Sequence, residues 1–177
     1  MINPAEYARA LFLLAEERGT TESVLADIRV AIHATEENPK YSSLADTPAL
    51  TKAQRLALVS EAFASLDQDL LSLIKILVER HSFSSLSKIG DEFSRLYDEA
   101  RNIERVVAIS AIPLSEKQSL ALTKKLEAIT KKTVILENKV DPSILGGVVL
   151  RYSGTQLDGS LKTRLDKLTE SLHSIII

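Results

Sequence analysis

The spacing of apolar residues changes once along this chain, near Glu104, and that change rules out a single uniform architecture. From Asn3 to Glu104 apolar side chains recur three and four positions apart, as in helices with one buried face. Beyond Glu104, short β-branched runs such as Val106 to Ala111 and Thr133 to Val140 alternate with a capped helical stretch. The predicted fold class is therefore α+β overall: an N-terminal all-α six-helix bundle over residues 1–104, then a small C-terminal α/β domain over 105–177. Charge divides at the same place. Residues 1–104 hold 11 basic and 17 acidic side chains and residues 105–177 hold 11 and 7, giving −6 and +4. Opposite signs suit two units with different partners.

Capping residues punctuate the helical half. Asn3, Pro4 and Glu6 open a first helix that Gly19 stops, placing it over Pro4 to Arg18. A second runs from Thr21 to about Glu36 and ends before Pro39, because a residue preceding proline avoids the helical region. A short turn is expected over Tyr41 to Ala45. Thr51 with Gln54 opens a helix to about Ala64, Asp67 caps another to about Arg80, and a last one is expected from Ser84 to Glu104. In the second half Ser115 with Gln118 caps a helix to Thr130. Strands are expected over Thr133 to Val140, Leu145 to Tyr152 and Thr155 to Leu157, the last two joined at Ser153-Gly154. A final helix is expected from Gly159 to Ser174.

Little in the chain suits catalysis. With no cysteine, thiolate chemistry and disulfides are excluded, and His33, His81 and His173 show no ligand spacing, so no metal or other cofactor is expected. Ser110, Ser143 and Ser160 lack a nucleophile elbow, and Gly146-Gly147 lacks the spacing of a phosphate loop. Asp141 before Pro142 reads as a turn, and Asp158 before Gly159-Ser160 as a helix cap. Lys124, Lys125, Lys131 and Lys132 form a basic patch, but 5% aromatic content and a net charge of −2 argue against nucleic-acid binding. The longest apolar run, Ile144 to Leu150, is far short of the roughly 20 residues of a spanning helix, and Met-Ile-Asn-Pro-Ala-Glu lacks the basic start of a leader. Membrane insertion is not expected, and a cytoplasm-like compartment is.

Two helices carry more apolar surface than one core face needs. Tyr7, Leu11, Leu14 and Ala15 form one stripe of the first helix, which Ala10, Phe12 and Leu13 broaden; only Ser72 and Lys75 interrupt the apolar run from Leu70 to Val78. Either these helices are central in the bundle, or they form a groove for a partner helix.

Several motifs carry a family resemblance. Tyr7-Ala8-Arg9-Ala10-Leu11-Phe12, Ser110-Ala111-Ile112-Pro113-Leu114, Val140-Asp141-Pro142-Ser143-Ile144-Leu145-Gly146-Gly147-Val148-Val149-Leu150-Arg151 and Leu157-Asp158-Gly159-Ser160-Leu161-Lys162-Thr163-Arg164-Leu165 together resemble the delta subunits of bacterial F-type ATP synthase, counterparts of the mitochondrial oligomycin-sensitivity-conferring protein. The resemblance spans the whole chain, and its C-terminal motif is the most specific. It implies a non-catalytic stator subunit whose helical domain binds the N-terminal helices of the alpha subunits, and whose C-terminal domain binds the ends of the peripheral-stalk b subunits. It implies a peripheral location at the cytoplasmic face of the bacterial plasma membrane. By position, Tyr7, Ala10, Leu11 and Leu14, with Ile76 and Leu77, would line the alpha-subunit groove; Leu172, Ile175 and Ile176 would meet the stalk. Asp141, Gly146, Gly147, Asp158, Gly159 and Ser160 would be architectural. An unrelated helical adaptor or scaffold would share the bundle but has no reason to carry these motifs in this order.

Overall fold

A computed structural model describes residues 2–47, 49–144, 146–152 and 154–159. The chain is α+β and divides into two compact units, Met1–Tyr97 and Asp98–Ile177.

In the first unit, α1 (Pro4–Arg18) starts as its sequence predicts: the Asn3 side chain accepts from the Ala5 amide at 3.2 Å and donates to Glu6. Gly19, at φ 68°, ends it in the left-handed region. Then come α2 (Thr21–Glu37), α3 (Pro39–Asp46), α4 (Lys52–Ala62), α5 (Gln68–Glu79), a 3-10 turn (Phe83–Ser85) and α6 (Leu86–Ala100). The Thr51–Gln54 capping box is complete, and Asp67 accepts from the Asp69 and Leu70 amides. Where a turn is predicted at Tyr41 to Ala45, the structure has helix α3. Pro39 both stops α2 and supplies the first residue of α3, where its missing N–H costs nothing.

The core draws on every helix of this unit, with Phe83, Phe93, Ile28, Leu70, Ile74 and Leu77 among its fully buried side chains. Phe12 meets Phe93 edge to face at 5.6 Å. Gly90 of α6 packs on α2 so closely that an added methyl would touch Ile32 Cδ1 and lie 2.8 Å from Ile28 Cγ2. The Ile32 tip can swing aside, but the Ile28 methyl branches at Cβ and is stiff. Gly90→Ala should therefore lose about 1 kcal/mol, overpacking outweighing the gain in helix propensity. A lowered urea midpoint with unchanged slope checks this; an unmoved midpoint would mean that α2 gives way.

The second unit begins earlier than its sequence suggests. The helix expected to reach Glu104 stops at Ala100, because Asn102 takes the left-handed conformation (φ 52°) that asparagine tolerates better than most residues. Strand β1 accordingly covers Ile103–Ser110 rather than starting at Val106. Helix α7 (Glu116–Thr130) follows with its Ser115–Gln118 capping box, then β2 (Thr133–Val140), β3 (Val148–Tyr152) and β4 (Thr155–Asp158). The sheet order is β2-β1-β3-β4; β1 and β2 are parallel, joined through α7, and β3 is antiparallel to both β1 and β4. The strand expected from Leu145 starts at Val148, directly after Gly147 at φ 86°.

Alternation along β1 buries Glu104, Val106, Ala108 and Ser110. Val106 packs with Val134 and with Leu126 and Leu122 of α7. Asn138 of β2 fastens this face: its Nδ2 donates to the Ala108 carbonyl at 2.9 Å and to Ser110 Oγ at 2.8 Å, and its Oδ1 accepts from the Leu114 amide at 2.9 Å. The helix expected from Gly159 to Ser174 lies outside the described residues from Ser160 onward.

Candidate functional site

Helices α1 and α5 pack against each other, and Arg18 Nη1 sits 2.8 Å from Asp69 Oδ2, tying the C-terminal end of α1 to the N-terminal end of α5. Their apolar excess divides cleanly. Leu11 and Leu77 are buried in the core, and Tyr7 is half-buried against it. Ala10 and Leu14 on α1 and Ile76 on α5 face outward, Leu14 at 44% and Ile76 at 42% exposure. Leu13, one residue from Leu14, is more exposed still. Two adjacent helices thus present large aliphatic side chains to solvent while contributing Leu11, Phe12, Ala15, Leu70, Ile74 and Leu77 to the core. Such a surface can bury the apolar face of a helix; it has no group to carry out a reaction.

Of the residues expected to be architectural, those described lie at or beside element ends. Asp141 Oδ1 accepts from the Ser143 amide at 2.9 Å, and the Ser143 hydrogen bonds hold its carboxyl below the usual carboxylate range. Gly146 and Gly147 immediately precede β3, Asp158 is the last residue of β4, and the Gly159 amide donates to the Val148 carbonyl at 3.1 Å. Ser160, Leu172, Ile175 and Ile176 lie outside the described residues.

The other shifted groups are structural. The Lys132 ammonium donates to Glu104 at 2.8 Å, and that hydrogen bond raises its pKa. Burial, with the Glu61 charge second, raises the Tyr41 hydroxyl, which donates to the Leu58 carbonyl at 3.1 Å. Among the described residues no group of three or more histidine, aspartate or glutamate side chains is placed to hold a metal ion.

Two features escape a reading of the sequence. Arg55, only 5% exposed, places Nη1 3.0 Å from His81 Nε2, and the Asp46 carboxylate accepts from the Phe83 and Ser84 amides, so α3, α4 and the turn after α5 close on one polar cluster. These residues lie far apart in sequence, and Arg55, next to Gln54 and close to Lys52, carries no local sign of burial. A cavity of about 400 Å³ also opens beside Ala34, Tyr41, Leu44, Ala62 and Phe63, a site created by α3 and therefore invisible where a turn is expected.

With this geometry the chain compares closely with known proteins. The family described as "ATP synthase delta (OSCP) subunit" matches residues 4–172. An ATP synthase subunit delta of Lactobacillus johnsonii is 35% identical over 172 residues, covering 95% of this chain and 93% of that one. Its namesake from Clostridioides difficile is 35% identical, covering 96% and 95%. In structure, a chain of the Toxoplasma gondii mitochondrial ATP synthase hexamer superposes with a TM-score of 0.74 over 97% of this chain and 98% of that one, at 22% identity, which speaks to the fold.

Proposed function

The chain belongs to the ATP synthase delta (OSCP) family, and from that membership we propose how its two units divide the work of a non-catalytic peripheral-stalk subunit. Residues 1–104, acting as a six-helix bundle, hold the catalytic head by receiving the N-terminal helices of alpha subunits on the α1–α5 surface. Residues 105–177 hold the C-terminal ends of the stalk b subunits, with Leu172, Ile175 and Ile176 contributing. The complex lies at the cytoplasmic face of the bacterial plasma membrane, and the chain attaches there through its partners. Among the described residues no helix is long and apolar enough to cross a membrane.

The observation that carries this reading is the outward placement of Ala10, Leu14 and Ile76 on adjacent helices, beside a core already filled by Leu11 and Leu77. The function is mechanical. Proton-driven rotation would turn the head with the rotor unless a static link held it, and ATP synthesis needs relative motion. An apolar groove suits a static link, since each buried Leu or Ile contributes roughly 1.5–3 kcal/mol without demanding a reactive group.

Calorimetric titration of the full chain with a peptide from the N-terminus of the cognate alpha subunit tests it. One-to-one binding with a negative heat-capacity change is expected, the mark of apolar burial. Absence of binding, by heat and by a second probe such as fluorescence anisotropy, would remove the α1–α5 surface from the head contact.

A further inference from the structure

We propose that the outward face of α7 is a docking surface for an acidic α-helix of another subunit of the complex. Lys117, Ala121, Lys124 and Ala128 follow one another at spacings of four, three and four, the repeat that keeps residues on one side of a helix; Lys131 caps the helix end in the left-handed conformation, and all five are exposed. The opposite side is the one that packs on the sheet through Leu126 and Leu122.

Three properties point to this partner. The first is unpaired charge: among the described residues Lys117, Lys124, Lys125 and Lys131 form no ion pair, whereas Lys52, Lys132 and Lys139 each do. Neighbouring like charges on one helix repel, and an acidic partner would relieve that repulsion. The second is the pair of large aliphatic side chains that flank the lysine row, Leu120 at 62% and Ile129 at 77% exposure, which lie outside the core formed by the described residues of this unit. The third is shape. Ala121 and Ala128, seven residues apart between the lysines, leave a low track along which another helix can approach to the usual 8–10 Å between axes. The helix offers 15 residues, about 22 Å, enough for two heptads of contact.

Other anionic surfaces fit less well. Nucleic acid would favour arginine forks and aromatic stacking, and α7 has neither. A lipid surface would need one broad apolar face, whereas Leu120 and Ile129 lie on opposite flanks of the lysine row. This inference rests on the family reading for where the partner comes from, since the helix is taken to belong to the same complex.

The test uses the full chain and the soluble part of the cognate b subunit, titrated at low and at raised salt. The Lys117→Glu, Lys124→Glu double variant is expected to bind about tenfold or more weakly and to lose most of the salt dependence, with its melting curve unmoved because both side chains are exposed. Leu120→Ser should weaken binding while keeping the salt dependence. Equal binding by wild type and both variants would overturn the α7 surface and leave the stalk reading standing. If the wild type fails to bind the b fragment at all, the stalk contact of this unit falls, and the α7 proposal with it. A double variant that loses only binding to phosphatidylglycerol vesicles would also overturn it, in favour of a lipid surface.

Discussion

Ile76→Asp is expected to weaken binding of the alpha-subunit peptide by at least about a hundredfold while leaving the melting curve within the scatter of a surface substitution. Ile76 is 42% exposed on α5, so in the free chain an aspartate there reaches water and creates no buried charge. Once a helix covers the α1–α5 surface the carboxylate would be stripped of water against the apolar face of the partner, a cost that an ion pair with the exposed Arg80, four residues on, offsets only in part. The adjacent residue supplies the control. Leu77 is fully buried, and the same change there should unfold the unit, so that loss of binding would track loss of structure. If Ile76→Asp instead collapses the melting curve, α5 is serving the core on that side too, and the groove must be sought elsewhere. If it alters neither stability nor binding, the head contact does not use α5.

The largest effect on stability is expected from Phe93→Ala. Phe93 has no exposed surface, and its ring meets Phe12 of α1 at 5.6 Å and 70°, joining the last helix of the first unit to the first. Deleting such a ring removes its transfer energy, its edge-to-face contact and the packing around the cavity it leaves, together about 3–5 kcal/mol. In a unit of this size that lowers the melting temperature by more than about 12 °C, and a marginally stable unit unfolds. Differential scanning calorimetry of the full chain would show the transition of the first unit displaced and that of the second in place. A shift of only a few degrees would mean that α1 and α6 collapse onto the vacated space.

The two substitutions separate what had been merged in the apolar excess of α1 and α5. A helix with aliphatic residues around most of its circumference is compatible with a central position or with a groove, because a 3.6-residue period tells which side chains share a face and says nothing about which face turns inward once every face is apolar. Packing resolves it residue by residue: Leu11 inward and Ala10 outward, Leu77 inward and Ile76 outward. Of the six side chains that the resemblance assigns to the groove, these two leucines already belong to the core.

What the sequence by itself determined is whatever depends on near neighbours in the chain. Asn3, Thr51, Asp67 and Ser115 cap the helices that follow them and Gly19 ends α1, because capping and left-handed stops are settled within four or five residues. The motifs around Gly146-Gly147 and Asp158-Gly159 likewise identify the family before any packing is known. Tertiary structure alone decided the rest. It made a helix of Tyr41 to Ala45 by packing Tyr41 beside Phe63 and Phe83, and drew Asn102 into a left-handed stop as β1 paired with β2. It also brought Arg55 to His81 across 26 residues. Each of these outcomes depends on contacts between segments far apart in the chain, whose energy no local propensity contains.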